Sequence, residues 1–194
     1  MKRKVGLALC GSYCTYDRVL AVAKTLCDTY DIVPIMSETS AATDSRFGKA
    51  ADFKDRLQAM TGRSIIDTVS AAEPIGPKGI LDILVIAPCT GNTIAKIACG
   101  VTDSTVTMAA KAHLRNEKPL IIAVSTNDGL SGNAGNIGAL LSRKNVYFVP
   151  FGQDDPHNKP TSLVACFEQI ADTIELAAKG KQIQPILLNP CIYQ

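Results

Sequence analysis

Residues 87–104 read APCTGNTIAKIACGVTDS and follow the apolar run ILDILVI. Thr90, Gly91, Asn92 and Thr93 there carry more hydroxyl and amide capacity than a turn from strand to helix needs. Thr90 or Asn92 is suited to cap the helix, which leaves the remaining donors to face a ligand. Gly91 removes a side chain where a flat ligand presses on the main chain. A second cluster, CGSYCTYDR, places Cys10, Gly11 and Ser12 after the first apolar run. Gly11 permits close backbone approach or positive φ, and the unpaired amides at a helix start suit a phosphate or carboxylate. An ordinary Ser-capped turn has the same composition. A third, SETSAATDSRFG, opens with Ser37 at a strand end, and its other hydroxyls suit a polar surface loop. The fourth, STNDGLSGNAGNIGALL, follows PLIIAV with Ser125, and its Asn127, Asn133 and Asn136 either face a substrate or belong to a plain mobile loop. Short polar side chains with few charges suit a neutral, hydrogen-bonding ring system carrying one anionic tail.

The elements that position these clusters alternate in type. Strands are expected at 4–9, 31–36, 82–87, 119–125 and 145–149, with a weaker candidate at 64–69. They are nearly continuous in Val, Ile and Leu, the pattern of strands buried on both faces of a parallel sheet. Apolar spacing predicts helices over 17–29, 92–99, 104–116 and 162–179, and another beginning near Ala134. Asp103 or Ser104 caps the third, and His113 and Arg115 fall in its last turn, where cations complement the dipole. Gly100 and Gly180 are placed to end helices. The alternation predicts an α/β fold: a Rossmann- or flavodoxin-like doubly wound parallel sheet in three αβα layers, a single domain over 1–194. Ligands of such sheets bind outside the carboxyl ends of the strands, which is where the four clusters fall.

The balance of 20 Lys and Arg against 18 Asp and Glu, net +2, carries no electrostatic footprint for nucleic acid or an anionic membrane surface. The longest apolar runs are too short to span a bilayer. The basic, then apolar start MKRKVGLALCGS reads as a buried first strand rather than a signal peptide, since Asp17 and Arg18 follow at once. Seven scattered cysteines without Cys-x-x-Cys fit reduced thiols in a cytoplasmic protein better than a disulfide framework or a zinc site. Neither GxGxxG nor GxxxxGK[ST] occurs.

APCTGNTIAKIACGVTDS resembles the segment that holds FMN in the flavoprotein family of cysteine decarboxylases and flavin prenyltransferases. Over about residues 4–150 the resemblance implies FMN bound by Cys10, Gly11, Ser12, Ser37, Thr90, Gly91, Asn92, Thr93 and Ser125. Asn127, Asn133 and Asn136 are candidates for the substrate side. The decarboxylases carry a catalytic His about 14 residues before the motif proline, where this chain has Pro74, and a Pro-x-Met-Asn segment where it has VSTNDG. VGLALCGSYCTYDR and STNDGLSGNAGNIG, taken with the central motif, are similar to a branch from spore-forming bacteria. That likeness implies a subunit acting in the mother-cell cytoplasm, itself homo-oligomeric. It works with a dehydrogenase-type A subunit that brings NAD(P), making pyridine-2,6-dicarboxylate from a dihydro- or hydroxytetrahydro precursor. A stand-alone FMN decarboxylase or prenyltransferase-like enzyme and a non-catalytic ligand- or partner-binding subunit are the alternatives.

No catalytic acid or base stands out. His157 beside Asp154 and Asp155 in GQDDPHNKP suits a solvated loop, and no metal site is expected. A dicarboxylate calls for Arg or Lys, and Lys111, Arg46 and Arg143 are available without anything in the sequence placing them at the strand ends.

Overall fold

The computed structural model describes residues 2–189; Cys191 lies outside them. Strands β1 (Lys4–Leu9), β2 (Asp31–Met36), β3 (Ile83–Cys89) and β4 (Leu120–Thr126) form the parallel centre in the order β2-β1-β3-β4. Their Val, Ile and Leu side chains are buried on both faces, and β3 is buried along its whole length. β5 (Val146–Phe148) continues the parallel sheet beside the first half of β4, matching Leu120–Ile122 to Val146–Phe148.

Beyond that point two antiparallel strands extend the doubly wound parallel sheet and make it mixed at one edge. β7 (Leu163–Ala165) runs antiparallel to the end of β4, and β6 (Phe151–Gly152) pairs antiparallel with β7. Residues 162–179 are therefore not one helix. Val164 is a strand residue, and α9 spans only Ile170–Ala177 after a 3-10 turn at Phe167–Gln169. The stretch 64–69 contributes only a single bridge, Ile66 to Ile35.

Helices α1 (Tyr16–Thr29) and α9 pack on one face of the sheet, with α3 (Ala50–Thr61) beside α1 and β2. On the other face lie α6 (Gly91–Cys99), α7 (Thr105–Leu114) and α8 (Ala134–Leu141). The short helices α4 (Val69–Ala72) and α5 (Ile75–Lys78) pack against α7, and α2 (Glu38–Ala42) follows β2. This is a flavodoxin-like αβα arrangement. Its chain order reverses between β1 and β3, so the loops after those strands flank the switch point at which such folds bind ligands.

The start of α7 agrees with expectation and its end departs from it. Ser104 caps α7 in a reciprocal capping box with Thr107. His113 lies in the last turn but is buried, its Nε2 2.9 Å from the Pro119 carbonyl. Burial pulls its pKa down to about 4, so at neutral pH it is uncharged and does not complement the dipole.

Candidate functional site

β1, β3 and β4 end along one edge of the sheet. A cavity of about 500 Å³ opens there, within the range of about 300–1,000 Å³ usual for small-molecule sites. Ser12, Thr90, Ser125, Thr126 and Asn127 bring three strand ends to its lining. The Ser12 and Ser125 hydroxyls hydrogen-bond each other at 2.5 Å.

Positive φ falls on Ser12 (φ 72°, ψ 47°), not on Gly11. Its side chain caps nothing. Its carbonyl instead accepts from the Thr15 amide at 3.0 Å and the Thr15 hydroxyl at 2.9 Å. The ordinary Ser-capped turn is thereby excluded, and the hydroxyl is turned toward Ser125. Gly11 brings two loops together, since a Cβ there would stand 3.3 Å from Thr90 Cγ2.

Thr90 caps α6, accepting from the Thr93 amide at 3.3 Å and donating to the Thr93 hydroxyl at 3.1 Å. Asn92 is not the cap; its side chain is exposed on the first turn. Gly91 is required by protein rather than by a flat ligand. A Cβ there would lie 2.5 Å from Asn133 Nδ2, 2.6 Å from Asp128 Oδ1 and 2.7 Å from Thr126 Oγ1. Asn133 donates to Asp128 at 2.8 Å and accepts from Asn136 at 3.0 Å, and the Thr126 hydroxyl also donates to Asp128. Asn133 and Asn136 thus tie the loop after β4 to itself, and neither lines the cavity. Ser37 is buried as the N-cap of α2, bonded to Ser40, and is also outside the lining.

Cys10 is buried just after β1 and does not line the cavity. Its thiol donates to the Pro88 carbonyl at 3.0 Å, in the irregular end of β3 where the Ala87–Pro88 peptide is cis. A hydrogen bond from Cys89, helped by Thr93 and Thr90 and opposed by burial, draws Cys10 down to about 7. Burial pushes Cys89 well above the ordinary thiol range.

Charge at the cavity comes from residues the sequence did not point to. Arg18 reaches it from α1 while paired with Glu168 at 3.0 Å and stacked over Phe167. Asp154 and Lys159 come from the loop between β6 and β7, 3.6 Å apart. Asp154 Oδ1 is buried and has no hydrogen-bond partner among the described residues. Thr15 and Arg18 stand one and nearly two turns beyond Ser12, a spacing that was there to be read. The Asp154–Lys159 loop carried no such signal. Lys111 and Arg143 lie elsewhere. His157 is exposed, and among the described residues no three His, Cys, Asp or Glu side chains converge as a metal site.

The donor set fits an anion carrying a hydroxylated chain: hydroxyls from three strand ends, two cations, and one buried acceptor. It does not fit a ring laid on Gly91, because Asp128 and Asn133 fill that cradle.

The Flavoprotein family profile matches residues 1–174. The chain belongs to the Flavoprotein family. Within it, the B subunit of dipicolinate synthase from Bacillus subtilis (strain 168) is 43% identical over 188 residues, covering 96% of this chain and 94% of that one. The crystal structure of the corresponding B subunit from Bacillus halodurans C superposes with a TM-score of 0.89 at 44% identity, over 98% of this chain and 100% of that chain. The more distant Burkholderia xenovorans DmrB, described in complex with FMN as a cubic protein cage for redox transfer, shares the fold. Its TM-score is 0.62 at 20% identity, over 76% of this chain and 88% of that one.

Proposed function

We propose that the chain acts as the B subunit of a two-subunit dipicolinate synthase and binds FMN at the strand-end cavity. The observation that carries this reading is the convergence of Ser12, Thr90 and Ser125 with Arg18 and Lys159 in one cavity, in a chain 43% identical to the B subunit of a dipicolinate synthase. Ser12, Thr15 and Arg18 at the start of α1 would hold the phosphate, since guanidinium and hydroxyl donors suit its oxygens. Thr90, Ser125 and Thr126 would take the ribityl hydroxyls. A flavin held by these residues would supply a hydride acceptor.

Lys159 and Asn127 remain to meet a substrate carboxylate. The Asp154 carboxylate, which also lines the cavity, would accept from a ring N–H or hydroxyl of a partly reduced pyridine dicarboxylate. The A subunit brings NAD(P), for which this chain has no fingerprint, and the B subunit is itself a homo-oligomer. The assay supplies the reduced dicarboxylate and nicotinamide to each subunit and to the mixture. Turnover is expected only in the mixture, falling when Asp154→Asn is introduced. Full turnover by this chain alone, or an A subunit it does not accelerate, contradicts the proposal.

A further inference from the structure

A second cavity, of about 380 Å³, lies between α6, α7 and the end of α8. One stripe of α7 lines it at helical spacing: Thr107, Ala110, Lys111, Leu114 and Arg115. Its apolar floor is Ile97, Ala110 and Leu114, joined by Val101, which is 42% exposed. Lys111 stands on α7, whereas Arg115, just past its end, lines the cavity with its stem and turns its guanidinium to α5, Nη2 3.3 Å from the point a Cβ on Gly76 would occupy. Arg143 enters from the turn after α8 and donates to the Ile97 carbonyl at 3.2 Å, one of its five N–H donors.

No Asp or Glu lines this cavity. The nearby acids are engaged elsewhere, Asp103 with Lys96 and Glu117 with Lys144, and among the described residues none of the three cations has a carboxylate within 4.0 Å. Two cations, Lys111 and Arg143, thus face one apolar floor with no acid in its lining. We infer that this cavity is a second ligand site, taking a small dianion with an apolar body, of the aromatic dicarboxylate class. Lys111 from α7 and Arg143 from the turn after α8 would each engage one anionic group, and the ring would cover Ile97 and Leu114. Exposed cations give an affinity that falls with added salt.

Isophthalate is the probe, titrated calorimetrically into the full chain carrying Arg18→Gln and Lys159→Gln, so that the strand-end cavity does not contribute. Saturable binding of one isophthalate per chain is expected in that background. Adding Lys111→Gln and Arg143→Gln should weaken it about tenfold or more, with no change in melting temperature. Benzoate and inorganic phosphate, lacking respectively the second charge and the apolar body, should bind at least tenfold more weakly. No saturable binding, unchanged affinity in the Lys111/Arg143 variant, or phosphate as tight as isophthalate overturns the inference. So does a second copy of the chain seated on this face, shown by sedimentation and released by Val101→Glu. Because the strand-end cations are already removed, these outcomes are independent of the proposed synthase activity.

Discussion

Ser12 spends conformational energy at the point where the chain would touch a ligand. A non-glycine residue in the left-handed region costs about 1 kcal/mol, and here it aims a hydroxyl into the cavity. Ser12→Gly should relieve that strain while removing the hydroxyl. Urea unfolding is expected to show stability unchanged or raised by up to about 1 kcal/mol, while FMN affinity falls about tenfold. A variant with reduced stability and normal FMN affinity would assign Ser12 a purely structural role. Gly91→Ala tests the packed cradle. Alanine is the better helix former by about 1 kcal/mol, but its Cβ would displace the Thr126–Asp128–Asn133 cluster. A net loss of about 1–3 kcal/mol is expected, read from the urea midpoint; a stabilised variant would mean that the cluster yields freely. Ser12, Thr90 and Ser125 were legible in the sequence because each directly follows an apolar run. Asp154 and Lys159 were not, because they meet Ser12 only through the fold, whereas Arg18 stands at a readable helical spacing from Ser12. Asn133 and Asn136 misled because nothing in the sequence says that the partner of an amide is a nearby carboxylate, Asp128.

At the scale of elements, the parallel strands were readable because burial on both faces leaves little but Val, Ile and Leu. The tail of the sheet was not. Val164, Phe167, Ile170 and Ile174 keep a helical spacing, yet Leu163 and Val164 pair with Thr126 and Ser125 and the helix begins only at Ile170. Ladder hydrogen bonds to an open half of β4 override a local periodicity that suits either outcome. α7 shows the converse, a helix whose start is fixed from two directions. The Ser104–Thr107 capping box satisfies part of it, and the Glu38 carboxylate accepts from the Thr105 amide at 3.0 Å and its hydroxyl at 2.7 Å. That carboxylate also faces the positive end of the helix dipole. Glu38→Ala should cost about 1–2 kcal/mol, measured by urea unfolding at low salt. An unchanged midpoint would show that water serves Thr105 as well.

For the whole molecule, pH exposes a buried group that carries no catalytic role. The folded pKa of His113 is about 4, against about 6.5 for an unfolded histidine. Between those values the unfolded chain binds a proton that the folded chain refuses, so stability falls as pH drops through that window. The loss from this residue is about 2–3 kcal/mol between pH 7 and 4.5. His113→Gln, which keeps a donor for the Pro119 carbonyl, should flatten that slope in urea midpoints taken at the two pH values. An equally steep slope in the variant would place the acid sensitivity elsewhere. The cavity at the carboxyl edge of the sheet is what the rest of the fold positions, and its ligand is the central claim. Titration of the full chain with FMN, followed by quenching of flavin fluorescence, tests it most directly. Saturation near one FMN per chain is predicted, with affinity reduced at least tenfold by Arg18→Gln and retained in Lys111→Gln. Absence of saturable binding, or equal affinity in Arg18→Gln, would contradict the assignment.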